Sequence, residues 1–175
     1  MLNFLHNRSI SILNTQVTDK DIEQIEAFLK REARGILEVS ARTADARPAS
    51  IKVTPVVDKV PFPTIYWLVD PVVYKAISQI EGQGFTKELQ AMIDADEELK
   101  EKVKAIHESY RDERVKLFKE MNLELPDNMM PMITDTGIGG LRDFYHLRCL
   151  HMFYAYHLVR PHVIGEMVDR KLKQS

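Results

Sequence analysis

The chain has 175 residues and a mass of 20.3 kDa, which fits one domain. A domain of this size buries roughly 70% of the surface its unfolded chain exposes, so it folds without a metal or disulfide staple. Apolar residues are 45% and charged residues 29%, which excludes disordered and collagen-like sequence. The formal charge of -2 removes the simple electrostatic case for nucleic-acid binding.

One cysteine excludes an intrachain disulfide and suits a reducing, cytoplasmic setting. No apolar run approaches 18 residues, so no membrane span is expected. The opening MLNFLHNRSISILN is broken by His6, Asn7 and Arg8 and lacks a signal-peptide core.

The elements follow in chain order. Thr18 with Asp21 forms an imperfect capping box for a helix carrying Ile22, Ile25, Phe28 and Leu29, closed by Gly35. Residues 35–42 and 50–57 read as strands joined by the polar connector TADARPA. Pro61-Phe62-Pro63 leads into a third strand, TIYWLV, apolar on both faces and so expected to be covered on both sides or to lie at the sheet centre. Asp70-Pro71 is the best helix start, with Asp70 as cap and Pro71 at the first helical position. Gly82 and Gly84 end that helix.

Thr86 is placed as the cap of a short helix. A long helix follows with the seam Leu99, Val103, Ile106, Tyr110, Leu117 and Met121, which misses a rung near Glu113 and Arg114 and packs on the sheet or on a partner. Residues 122–140 read as a functional or mobile loop, and 141–160 as a second long helix stopped by Pro161. The fold class is α+β: a small three-stranded antiparallel sheet with five or six helices, two of them long. A single domain, 1–175, is expected, with a compact core over 17–160 and an amphipathic segment and basic tail over 161–175.

Two motif matches fail on context. Asp135-Thr136-Gly137 is the aspartic-protease tripeptide, but those enzymes pair two carboxylates on β-rich lobes. Asp135 to Gly139 also matches the adenine box of histidine-kinase-type ATPases, whose lid and further strands have no room in the chain that follows. As a phosphate loop, Gly137–Gly140 lacks the Lys-Ser/Thr that should follow its last glycine.

Three polar constellations remain. His107, Tyr110 and Arg114 share one helix face, suited to holding an anion and, at His107, to moving a proton, or simply to flanking the core. Cys149 and His151 lie about 200° apart in a regular helix and cannot share a ligand there. They can if the helix begins near Cys149, where the thiol also gains reactivity; otherwise they are core residues. His146 and His157 are roughly 16 Å apart along a helix, too far for one metal. Asp70 reads first as a helix cap, with Asp45 in the connector.

Pro61-Phe62-Pro63-Thr64 with Tyr66-Trp67-Leu68 and Pro71, then His107, Tyr110 and Arg114, then Gly137–Gly140 with Arg148-Cys149-Leu150-His151 and His157, form three signatures in order. Over roughly residues 25–165 they resemble the bacterial family known as domain of unknown function 501, whose members are often labelled septum formation initiator family proteins. Many relatives carry Cys-Pro-Cys-Gly where this chain has Thr43-Ala44-Asp45-Ala46, Cys-Pro at Asp70-Pro71, and Val-Lys-Cys-Leu-His around Cys149. The resemblance therefore implies a metal site with Asp45, Asp70, Cys149 and His151 as ligands for zinc, manganese or iron.

Two functions follow as expectations. The first is a domain binding a small anion or a metal, open to catalysis. Cys149, His151 and His107 would carry the chemistry, and Tyr110, Arg114, Arg148, Gly139 and Gly140 would hold the ligand. The second is a non-catalytic adaptor or regulator linked to cell division, with a protein partner or a second copy on the long helix and the methionine-rich segment Met121, Met129, Met130 and Met132. RNA binding rests only on Arg170, Lys171 and Lys173.

Overall fold

A computed structural model describes residues 15–174. Helix α1 (Asp19–Leu29) starts at Thr18, whose hydroxyl accepts from the Asp21 amide while the Asp21 carboxylate accepts from the Thr18 amide, so aspartate completes the capping box. That carboxylate also takes two hydrogen bonds from Arg42, at 2.7 and 2.9 Å, which pins α1 to the first strand. The Arg42 bonds, with further help from Thr18, hold Asp21 down at about 2 against the opposing effect of burial.

Strands β1 (Ile36–Arg42), β2 (Pro48–Val53), β3 (Val56–Val57), β4 (Val60–Pro61) and β5 (Tyr66–Leu68) follow. The antiparallel sheet has the order β1-β2-β5. The stretch read as one strand over 50–57 divides: β2 ends at Val53, and β3 turns back onto β4 through Asp58 and Lys59, both in the left-handed region. The apolar third strand lies at the sheet edge, with β2 at the centre. Its Tyr66 and Leu68 are buried, while Trp67 is half-buried beside Phe62 and Arg31.

Helix α2 (Pro71–Gly82) starts as expected. Asp70 Oδ1 accepts from the Val72 and Val73 amides at 3.0 and 2.9 Å. Helix α3 (Phe85–Ala95) begins one residue before Thr86, with left-handed Gly84 at its cap, so Thr86 lies inside the helix and caps nothing.

Helix α4 (Glu97–Glu120) is the one long helix among the described residues. Its buried face is Leu99, Val103, Ile106, His107, Tyr110, Arg114 and Phe118, so a charged residue occupies the rung that the apolar seam lacks, and Met121 lies outside it. Residues 122–140 are not structureless. They hold short helical turns at Asp127–Met129 and Ile138–Gly140 around α5 (Pro131–Thr134).

Arg114 organises them. Fully buried, it donates to the Ile133 carbonyl from Nε and Nη2, to the Pro63 carbonyl at 2.7 Å, and to the Thr136 and Gly137 carbonyls.

The second long helix expected over 141–160 is also shorter. Residues 141–149 are irregular, with a turn at Phe144-Tyr145, and α6 (Leu150–His157) begins only after Cys149. Side chains, one from the segment itself and two from other helices, take the amides that a helix would have used. Asp143 accepts from Tyr145, Gln90 from Leu147, and Glu81 from Leu150 at 2.6 Å. Helix α7 (Val163–Gln174) buries Ile164, Val168 and Leu172 in the larger core, which joins α2, α3, α4, α6 and the inner face of the sheet.

Replacing Arg114 with methionine leaves the Ile133, Thr136 and Pro63 carbonyls without donors. The expected loss is about 3 kcal/mol of unfolding free energy in urea titration, with faster proteolysis between residues 122 and 140. Lys116→Met, at an exposed position, changes stability by less than about 0.5 kcal/mol. Equal effects from the two substitutions would refute the anchoring role.

Candidate functional site

Tyr74, Ser78 and Glu81 lie four and three residues apart on α2 and so share one face. The start of α6 meets that face. Cys149 has extended backbone (φ -137°, ψ 122°), so the helical separation of about 200° from His151 does not apply. Its Sγ lies 3.3 Å from His151 Nδ1, and the same nitrogen is 3.0 Å from Glu81 Oε2. These three side chains bring sulfur, nitrogen and oxygen within 4.8 Å of one another, the one such His/Cys/carboxylate grouping among the described residues.

The imidazole is held from its other side. His151 Nε2 is 3.0 Å from the Tyr74 carbonyl, which can only accept, so Nε2 carries a proton; Ser78 Oγ is also 3.0 Å away. The Tyr74 ring lies against the imidazole, tilted by 34° with centroids 4.0 Å apart. Nδ1 is therefore the atom left to face the thiol and the carboxylate. Burial opposes charge on His151, but Cys149 and Glu81 outweigh it and lift the imidazole to about 9. Burial likewise works to raise Glu81, and the bonds from His151 and the Leu150 amide overcome it and hold Glu81 below the ordinary carboxylate range.

The remaining residues singled out in the sequence lie elsewhere. Asp70 is buried, and its Oδ2 faces Arg47 Nη1 at 2.9 Å. Asp45 is exposed and accepts from Thr43 at 2.6 Å and from Arg47 Nε at 2.8 Å. One arginine thus ties both carboxylates together at the β1–β2 hairpin, and neither joins the Cys149 grouping.

His107, Tyr110 and Arg114 are fully buried and facing protein groups. The Tyr110 hydroxyl accepts from the Ile65 and Tyr66 amides, which fixes the entry to β5; burial pushes its ionisation well up. Burial also lowers Arg114 to about 10. Arg148 donates to the Gly139 carbonyl at 3.1 Å, and Gly139 and Gly140, both left-handed, turn the chain toward residues 141–149.

Glu81, Tyr74 and Ser78 had no counterpart in the sequence reading. The spacing along α2 was visible, but nothing local says that this face meets Cys149.

These elements define an α+β domain with a sulfur–nitrogen–oxygen cluster at a helix start. The chain belongs to the family described as a protein of unknown function (DUF501), whose model matches residues 39–170. No curated protein and no solved structure matches it. No helix among the described residues is long and apolar enough to cross a membrane.

The geometry of His107 sets a pH dependence. Its Nδ1 accepts from the Ile138 amide and its Nε2 donates to the His146 carbonyl, each at 3.0 Å, so the neutral form is required. Burial pulls it to about 4, below the unfolded value near 6.5. The unfolded chain then binds the extra proton between those values, and stability is lost as pH falls from 6.5 toward 4. From pH 7.5 to pH 5 this histidine accounts for about 2 kcal/mol. Urea unfolding at the two pH values should show the difference reduced by that amount in His107→Gln; an undiminished difference would contradict the assignment.

Proposed function

We propose that the protein binds a divalent transition metal, zinc by the character of its donors, through Cys149 Sγ, His151 Nδ1 and the Glu81 carboxylate. The observation that carries the reading is the convergence of three different ligand atoms on one point, with the histidine's tautomer fixed from behind by a backbone carbonyl. That second contact is the usual way a metal-ligating histidine is oriented.

Around a tetrahedral zinc, neighbouring ligand atoms are separated by roughly 3.4–3.6 Å. The separations of 3.3 and 3.0 Å here need to widen by only a few tenths of an ångström. The thiolate favours zinc over manganese, and three protein ligands leave a fourth position for water or substrate, the pattern of catalytic zinc. In this reading Glu81 takes the place that the resemblance gave to Asp45 and Asp70. Cys149 is a ligand, and His107 and Arg114 are structural supports.

The test is elemental analysis of untagged protein after zinc loading and dialysis. One equivalent is expected in the parent and in Asp45→Asn, and much less in Cys149→Ala and Glu81→Gln. Cobalt loading of the parent should give a thiolate charge-transfer band that Cys149→Ser lacks. Metal-free parent protein, or equal zinc in parent and Cys149→Ala, would overturn the reading.

A further inference from the structure

The Cys149–His151 end opens on a cleft of about 560 Å³, a size that small molecules fill. Its lining is aromatic. The Trp67 and Phe62 rings lie 5.6 Å apart, and Tyr74 meets Phe28 edge-on at 5.2 Å. Besides the His151 imidazole at its far end, one cation faces it. Arg31, exposed just beyond the end of α1, holds its guanidinium 5.0 Å from the centre of the Trp67 ring.

The other arginines near this end of the sheet are occupied. Arg34 pairs with Glu32 and Asp58, Arg47 with Asp45 and Asp70, and Arg42 with Asp21. Arg31 has no carboxylate partner among the described residues. A guanidinium held on an indole face is already oriented, with its N–H edge free to grip a planar anion.

We infer that the cleft binds a small organic anion with a flat apolar body. The carboxylate or phosphate lies on Arg31, the body against Trp67 and Tyr74, and the far end toward Cys149. This deepens the metal reading by naming the ligand that shares its cleft, and it rests on that reading only in taking the Cys149 end as the reactive one. The unpaired charge favours this occupant over a neutral one. A cleft of about 560 Å³ lies within the size range of small-molecule sites, which favours it over a protein segment.

Trp67 is the only tryptophan; its ring also lines the neighbouring hollow of Arg34 and Asp58, so its emission reports on both, and Tyr74, which lines the cleft only, tells them apart. The probes are 2-naphthoate, 2-naphthyl phosphate and neutral 2-naphthamide, titrated by Trp67 fluorescence and by calorimetry, the latter because changing Arg31 alters the indole's surroundings. At least one naphthyl anion is expected to bind saturably and about tenfold or more tighter than the amide, and the tighter anion identifies the head group. Arg31→Gln should bring that anion to the amide's affinity, Arg31→Lys should restore most of the difference, and Tyr74→Ala should weaken all three probes. Equal affinity of anions and amide, no effect of Arg31→Gln, or no saturable binding would overturn the inference. The titration is repeated with chelator and with Glu81→Gln: anion binding that persists there, beside a failed zinc assay, removes the metal reading and leaves the cleft assignment standing.

Discussion

A buried arginine with no carboxylate beside it sets the conditions for the rest of the molecule. Taking a guanidinium out of water is costly unless every donor finds an acceptor, and Arg114 meets that condition with backbone carbonyls and the Thr136 hydroxyl. Those carbonyls come from residues 133–137 and from Pro63, so satisfying one charge fixes two segments of irregular chain. The consequences pass along the chain. Gly137 is held so close to His107 that a Cβ there would lie 2.2 Å from the imidazole Nδ1, and the next amide, Ile138, bonds to that nitrogen. His107 in turn holds the His146 carbonyl, and Arg148 holds Gly139. The stretch leading into Cys149 is thus positioned by contacts whose first member is Arg114.

This accounts for why three polar residues on one helix face looked like a ligand site. His, Tyr and Arg at that spacing are what a helix needs to hold irregular backbone against itself: Tyr110 receives two amides, His107 bridges an amide and a carbonyl, and Arg114 gathers carbonyls. The residue types that bind anions in a cleft satisfy peptide groups when buried, and composition does not separate the two uses. Burial decides, and burial depends on where residues 131–147 lie.

The parts of the fold legible in the sequence were those fixed by neighbours. Thr18 with Asp21 and Asp70 with Pro71 marked two helix starts correctly because capping is satisfied within a few residues. The β1–β2 hairpin and the antiparallel sheet followed from β-branched runs around a short polar connector. What failed depended on distant groups. Residues 141–149 have helix-compatible periodicity, but Gln90 and Glu81 accept the Leu147 and Leu150 amides from other helices, and the helix starts where that capture ends. The long helix's missing rung was misread for the same reason, since a charged residue is counted as exposed until its acceptors are known.

Glu81 joins these threads. It accepts from the first amide of α6, so it acts as a helix cap contributed by another helix, and with its second oxygen it reaches His151. A local cap in sequence, such as Ser or Asp at position 149, would have done the first task alone. With Cys149 there instead, the cap's side chain bonds no backbone amide of its helix, and its sulfur is turned to the His151 imidazole. Without a proton and its positive charge between them, the imidazole Nδ1 and the Glu81 carboxylate, 3.0 Å apart, would face each other as two acceptors. In this structure the proton on His151, held up to about 9 by its two neighbours, supplies that charge. On the reading proposed above, a metal ion would take the place of that proton among the same three side chains.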